Sequence, residues 1–285
     1  MKKKSVSSIF VVLLVQIIIH GDNNVIIAQP PFNQLPLNPK QVRTGCGKTG
    51  DFENDTTVNV RNMMLHSLVD IVVRNRPYTG FVVVPDGPIT SVQVLLLCPP
   101  HLREDDCSDC IEKSVNHVRN ACPKNKRAVI WVFNSYFSYC MVRYADYDMR
   151  GKYEDWGRDW GFFQWDRGDA NVAELNKGFS DLFNKLLDEA IGDNKKKLED
   201  HHRNFAIGNS TYGSTSTKLY MSVQCTPDIS REDCTKCLNE AKLRVEREGI
   251  NKKKFNKNYT LLSMNCIIRY DHERIGLFPP LTRQK

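Results

Sequence analysis

Apart from one stretch near the N-terminus, the 285-residue chain has no long hydrophobic run, and crossing a bilayer takes about 20 apolar residues. That excludes a transmembrane anchor anywhere downstream. A large charge of one sign is missing too: 40 Lys and Arg stand against 33 Asp and Glu, a formal +7, which is too mild to indicate nucleic acid as a partner. There is no Gly-x-Ser-x-Gly elbow, no His-Glu-x-x-His and no phosphate-cradling glycine loop. Nothing therefore places a nucleophile beside a base. His201 and His202 are adjacent, so they project in different directions and do not form a chelate. The chain is read as non-enzymatic, with no cofactor and no metal.

The exceptional stretch is Ile9 to Ile19, broken only by Gln16, preceded by Lys2, Lys3 and Lys4 and followed by polar residues from His20 to Asn24. That is the anatomy of a signal peptide, and the run is too short to be an anchor. Cleavage after Gly21 or Ala28 fits, and Ala28 is preferred, giving a signal peptide over 1–28. Its removal takes away three lysines and Asp22, leaving +5 over 257 residues. That length suits two domains of about 125 residues each.

Ten cysteines behind a signal peptide are read as disulfides, because the secretory route is oxidising. Cys98, Cys107 and Cys110 recur as Cys225, Cys234 and Cys237 after 127 residues, and Cys140 recurs as Cys266 after 126. A period of that size is a whole domain. Flanking text repeats as well, Cys140-Met-Val-Arg-Tyr144 answering Cys266-Ile-Ile-Arg-Tyr270. Cys46 and Cys122 have no counterpart, Gly249 standing where the second would fall. Their joint loss from the second copy implies that they pair with each other, a closure contributing about 4.5 kcal/mol in the chain-entropy model. Spacing leaves three pairings open for the other four cysteines of the first copy; Cys98 to Cys107 with Cys110 to Cys140 is preferred, mirrored by Cys225 to Cys234 and Cys237 to Cys266. The two Cys-x-x-Cys pairs lack both a thioredoxin-like context and further zinc ligands.

Each copy has the same order of periodic segments. Val60, Met63, Met64, Leu68, Ile71 and Val72 fall at helical spacing, as do Leu175, Phe179, Leu182, Phe183, Leu186 and Ala190. Strand-like runs follow, Phe81 to Val84, Ser91 to Cys98 and Lys218 to Cys225. A shorter helix opens at each Cys-x-x-Cys, and β-rich stretches close the copies, Ala128 to Tyr144 and Tyr259 to Tyr270. Helices and strands mix without βαβ alternation, so the expected class is α+β with an antiparallel sheet. The expected division is a first domain over 36–148, an aromatic inter-domain linker over 149–170 and a second domain over 171–275. Trp156, Trp160 and Trp165 lie in that linker, with Gly157, Gly161 and charges at 155, 158 and 159 excluding a helix face. They are read first as domain packing and alternatively as a sugar-stacking platform.

With C-x8-C-x2-C and C-x2-R-Y placed twice behind a signal peptide, the chain resembles the plant cysteine-rich repeat secretory proteins, whose domain is homologous to ginkbilobin. Phe205-Ala-Ile-Gly-Asn209 and Tyr220-Met-Ser-Val-Gln-Cys225-Thr-Pro-Asp also look like that family. The resemblance implies two tandem domains, each a five-stranded antiparallel sheet covered by two helices, the disulfide pattern preferred above, and secretion to the apoplast. Related chains continue into a membrane span or a kinase, and this one resembles the free secreted form. Ginkbilobin binds mannose through an Asn after the first cysteine, an Arg six before the last and a Glu five after it. Here those places hold Gly47, Asn134 and Ala145 in the first copy, while the second offers Thr260 and Asp271. Each unmade hydrogen bond costs about 1–3 kcal/mol, so that mannose site is expected to be lost.

Three sequons begin at Asn54, Asn209 and Asn258 and are candidate N-glycosylation acceptors. Lys195 to Lys197 and Lys252 to Lys254, with Lys257, are short basic runs, read as solvated faces. The expected function is extracellular binding or interaction with a protein partner, the alternative being a lectin-like antimicrobial that contacts cell-wall glycan.

Overall fold

The computed structural model describes residues 41–272, apart from 49, 54, 76–78, 84–91, 134–138, 155–159, 169–171, 193–203, 215, 249 and 252–253. The signal peptide and its cleavage site lie outside the described residues.

The first repeat runs β1 (Val42–Cys46), α1 (Asp55–Asn75), β2 (Thr79–Val83), β3 (Gln93–Leu97), α2 (Glu104–Ala121), β4 (Ala128–Phe133) and β5 (Tyr139–Ala145). The second runs β6 (Trp160–Gly168), α3 (Val172–Ile191), β7 (Phe205–Tyr212), β8 (Thr217–Cys225), α4 (Arg231–Glu248), β9 (Ile250–Asn251), β10 (Lys254–Leu262) and β11 (Cys266–Asp271). The first sheet has the order β1-β4-β5-β3-β2 and the second β6-β10-β11-β8-β7, with the two-residue β9 paired to β10. Every pairing is antiparallel. Apart from β9, the two repeats are thus the same α+β fold, strand for strand.

Local chemistry explains the helices. α2 opens on Glu104, Asp105 and Asp106 and α4 on Glu232 and Asp233, negative charges that suit the positive end of the helix dipole. The Asp233 N–H donates to the Ser230 hydroxyl at 3.0 Å, an N-cap bond. Cys107, Cys110, Ile111, Ser114, Val115 and Val118 form the buried stripe of α2, and Leu175, Phe179, Leu182, Phe183, Leu186 and Ala190 that of α3, both at helical period.

The Cys-x-x-Cys of each repeat staples its helix to the sheet. Cys98 joins Cys107 and Cys110 joins Cys140; Cys225 joins Cys234 and Cys237 joins Cys266. Cys46, at the end of β1, joins Cys122, which caps the C-terminus of α2. None of the ten cysteines is free.

The central strands β3, β4 and β5 of the first sheet are buried on both faces. Val94, Leu96, Ile130, Val132, Cys140, Val142 and Tyr144 pack with the helices. The alternate residues Leu95, Leu97, Val129, Trp131, Tyr139 and Met141 cluster instead with Leu262, Met264 and Ile267 of the second repeat. Residues 94–97 of β3 and the whole of β4 therefore read as unbroken apolar runs, the signature of strands covered on both sides.

The linker expected over 149–170 is corrected by the strand β6. Trp160–Gly168 pairs with β10 and takes the edge position that β1 holds in the first sheet. The physical reason is that aromatic residues favour strands, and the glycines and charges that exclude a helix face are compatible with an edge strand. Tyr144 aligns with Ala128 and Ala128 with Cys46, while Tyr270 aligns with Tyr259 and Tyr259 with Phe163. Phe163 thus occupies in the second sheet the register position of Cys46 in the first. Between the sheets runs the shorter segment 149–154, in which Met149 is fully buried and the Glu154 N–H donates to Asn265 Oδ1 at 2.9 Å.

Candidate functional site

The position that would begin a sugar site is closed from within. Gly47 follows Cys46 at the end of β1, is buried, donates its N–H to the Arg127 carbonyl at 2.8 Å and accepts from Asn125 Nδ2 at 3.2 Å. A Cβ built on Gly47 would lie 2.2 Å from Arg127 Cγ. The stem of Arg127 thus fills the space through which any larger side chain would leave the backbone. Ala145, the third position of the set, is fully buried against the second repeat. Asn134 lies outside the described residues. In the second repeat Thr260 and Asp271 are both buried in the sheet, in register with Arg269 and Asn258 respectively.

The seam between the sheets carries the repeated arginine of C-x2-R-Y. In each copy the cysteine and tyrosine face the helices, in the two helix-side cores, so the arginine between them lies on the opposite face. Arg143 is fully buried and Arg269 nearly so. Arg143 donates to Glu154, which also accepts from the Tyr147 hydroxyl at 2.6 Å. Burial lowers the Arg269 guanidinium to about 10, against the opposing pull of Asp271 and Tyr139. Trp131 donates its indole N–H to the Ser263 carbonyl at 3.0 Å, and the Tyr139 hydroxyl donates to Gln224 Oε1. Asp228 accepts from the Gly151 N–H at 3.3 Å, and burial pushes its carboxyl above the usual range.

Beside the seam, the half-buried Tyr147 ring lies between two cations, Arg127 at 5.7 Å and Lys152 at 5.9 Å from its centroid. Burial, then the bond to Glu154, raises its hydroxyl above the ordinary phenol value. This Arg127–Tyr147–Lys152 group is a cation–π surface that sequence reasoning passed over. Its only sequence trace is that Arg127 and Tyr147 bracket the closing β-rich stretch of the repeat.

The remaining expected residues are dispersed. Asn209 is exposed on β7, Asn258 is half-buried on β10, and Asn54 lies outside the described residues. Trp156 also lies outside them. Trp160 is in register with Leu262, whereas Trp165 falls at the register shift of β6, so the backbone gives them no common uninterrupted strand segment. His201, His202, Lys195 to Lys197, Lys252 and Lys253 are likewise outside the described residues, and Lys254 and Lys257 belong to β10. Among the described residues no three His, Cys, Asp or Glu side chains gather as a metal site, and no helix is long and apolar enough to cross a membrane.

Comparison with known proteins fits this geometry. The chain is 28% identical over 195 residues to cysteine-rich repeat secretory protein 38 of Arabidopsis thaliana, covering 67% of this chain and 71% of that protein. It is 28% identical over 191 residues to the antimicrobial ginkbilobin-2-like protein of Castanea crenata, covering 66% and 72%. Cysteine-rich receptor-like protein kinase 29 of Arabidopsis thaliana is 28% identical over 198 residues, but that match spans 68% of this chain and only 27% of the kinase. The crystal structure of the tandem DUF26 ectodomain of the Arabidopsis thaliana cysteine-rich receptor-like protein PDLP8 shares the fold, with a TM-score of 0.61 at 21% identity over 81% of this chain and 97% of that one. The family described as salt stress response/antifungal matches residues 45–147 and again 167–273. Those two segments make up most of the chain, which therefore belongs to the salt stress response/antifungal family and carries two copies of its domain.

Proposed function

We propose that the chain is a secreted, non-enzymatic binding protein of the plant apoplast whose ligand is a protein at the cell surface. One observation carries the reading. Those positions of the ginkbilobin mannose set that fall among the described residues are here packed shut, Gly47 against Arg127 and Thr260 and Asp271 inside the second sheet, while the two repeats share one apolar seam. Outer surface is the functional resource left to such a body. Secretion is supported by the lysine-led apolar leader, by five disulfides and by similarity to a secretory protein.

Affinity capture from extracellular fluid tests the proposal, with the full mature chain as bait. Reproducible recovery of a protein partner, retained after glycans are stripped from the fluid, supports it. Recovery of a glycan and no protein overturns it in favour of the lectin-like antimicrobial reading, which the similarity to an antimicrobial ginkbilobin-2-like protein keeps as the competitor. A glycan array comparing the chain with its Trp160→Ala variant then shows whether the aromatic strand is the platform.

A further inference from the structure

Sheet edges are where one chain adds to another, and proteins blunt them with short strands, charges, prolines or bulges. Three of the four edges here have such a device. β1 and β2 are five residues long, and β1 carries Arg43. β6 carries Asp166 and Arg167 and a register shift against β10.

β7 has none of them. Phe205-Ala-Ile-Gly-Asn-Ser-Thr-Tyr212 is eight residues long, without a charge or a proline. It pairs with β8 through eight consecutive partners with no shift. No described residue pairs with its outer edge. In the middle of this strand stands Asn209, the first residue of Asn209-Ser210-Thr211, and both Asn209 and Thr211 are exposed. Gly208 faces α3, since a Cβ there would meet Leu186 at 3.0 Å, and Ala206 and Tyr212 belong to the helix-side core. Successive strand residues alternate faces, so Asn209 projects from the opposite side of the sheet.

We infer that Asn209 carries an N-linked oligosaccharide and that this glycan is the device protecting the β7 edge from pairing with a second copy of the chain. The inference rests on entry into the secretory route. There the donor is a lipid-pyrophosphate-linked oligosaccharide: the bond from sugar C1 to phosphate oxygen breaks, C1 bonds to Asn209 Nδ2, the amide releases a proton and the lipid pyrophosphate leaves. Transfer occurs while the segment is still extended and unpaired. Once β7 closes on β8, the bulky, hydrated chain sweeps the rim where an added backbone would have to lie. Asn258 has no comparable task, because its strand lies between β6 and β11.

The test uses the full chain secreted by eukaryotic cells. Glycopeptide mass spectrometry of protein from the medium should find the Asn209 peptide modified. Sedimentation should show a monomer for the native protein. Asn209→Gln and Thr211→Ala, which remove the sequon in different ways, should shift the weight-average mass toward dimer and beyond as concentration rises. Asn209→Lys, which restores an edge charge, should stay monomeric. An unmodified Asn209 in secreted protein overturns the inference and leaves the secretory reading standing, whereas absence of the wild-type chain from the medium overturns both. Sequon variants that remain monomeric, or an Asn209→Lys variant that associates as strongly as Asn209→Gln, also overturn it.

Discussion

Deleting the unshared staple, as Cys46→Ala/Cys122→Ala, should weaken the chain more than its surroundings suggest. The bridge closes a sequence separation of 76 residues, and in the chain-entropy model that restriction of the unfolded ensemble is about 4.5 kcal/mol. The same model gives about 2.6 kcal/mol for the separation of 9 between Cys98 and Cys107. Native contacts around Cys122 survive the change, because buried Arg61 donates to the Cys122 carbonyl at 2.8 Å, to the Pro123 carbonyl at 2.7 Å and to the Tyr144 hydroxyl at 2.7 Å. The loss therefore falls on the unfolded side of the equilibrium. With a urea slope of about 2 kcal/mol per molar, the midpoint should fall by about 2 M. Far-UV circular dichroism across a urea series, with the other disulfides kept oxidised, measures it. A midpoint lowered by less than about 0.5 M at unchanged slope would refute the reasoning, since the bridge would then be doing no more than side-chain packing.

Gly47→Asn should cost about 1–3 kcal/mol by overpacking against Arg127 without creating mannose affinity; thermal unfolding checks the first part, and Gly47→Asn/Arg127→Ala should recover most of the loss. Arg61→Ala, which orphans two carbonyls and a hydroxyl around a fully buried site, should cost about 1–3 kcal/mol for each group left unpaired by urea unfolding. Asp228 has a folded-state pKa raised by burial, so its contribution to stability is fully present below the unfolded value and is lost as pH rises through the raised folded one. The stability of wild type relative to Asp228→Asn should accordingly decline as pH rises above the ordinary aspartate value of about 3.9, and urea midpoints at several pH values follow it. Trp131→Ala should cost about 3–5 kcal/mol and hasten amide hydrogen exchange in β11 while leaving α3 protected.

Much of this architecture was readable from residue order. The helical stripes of α1 and α3 and the β-rich closing stretches were visible as periodicity, and the co-loss of Cys46 and Cys122 identified a pair that the structure joins. The first strand of each repeat was not visible. β1 is five residues containing a glycine and an arginine, and β6 reads as an aromatic cluster interrupted by glycine and charge. β7 escaped as well, because its edge position and Gly208, which sits close to Leu186, erase the apolar alternation by which strands are recognised. The closure of Gly47 by Arg127 joins residues 80 positions apart, a proximity that only the pairing of β1 with β4 creates. The seam was hidden for a different reason: an unbroken apolar strand announces that both faces are covered and never says by what.

The shared seam also sets what cleavage can achieve. A protease that cut the bond between Arg150 and Gly151, both exposed, would sever the covalent thread between the halves while Trp131, Met141, Leu262 and Ile267 stayed in contact. The product would travel as a nicked two-chain particle, and only reducing-independent denaturation would release its parts.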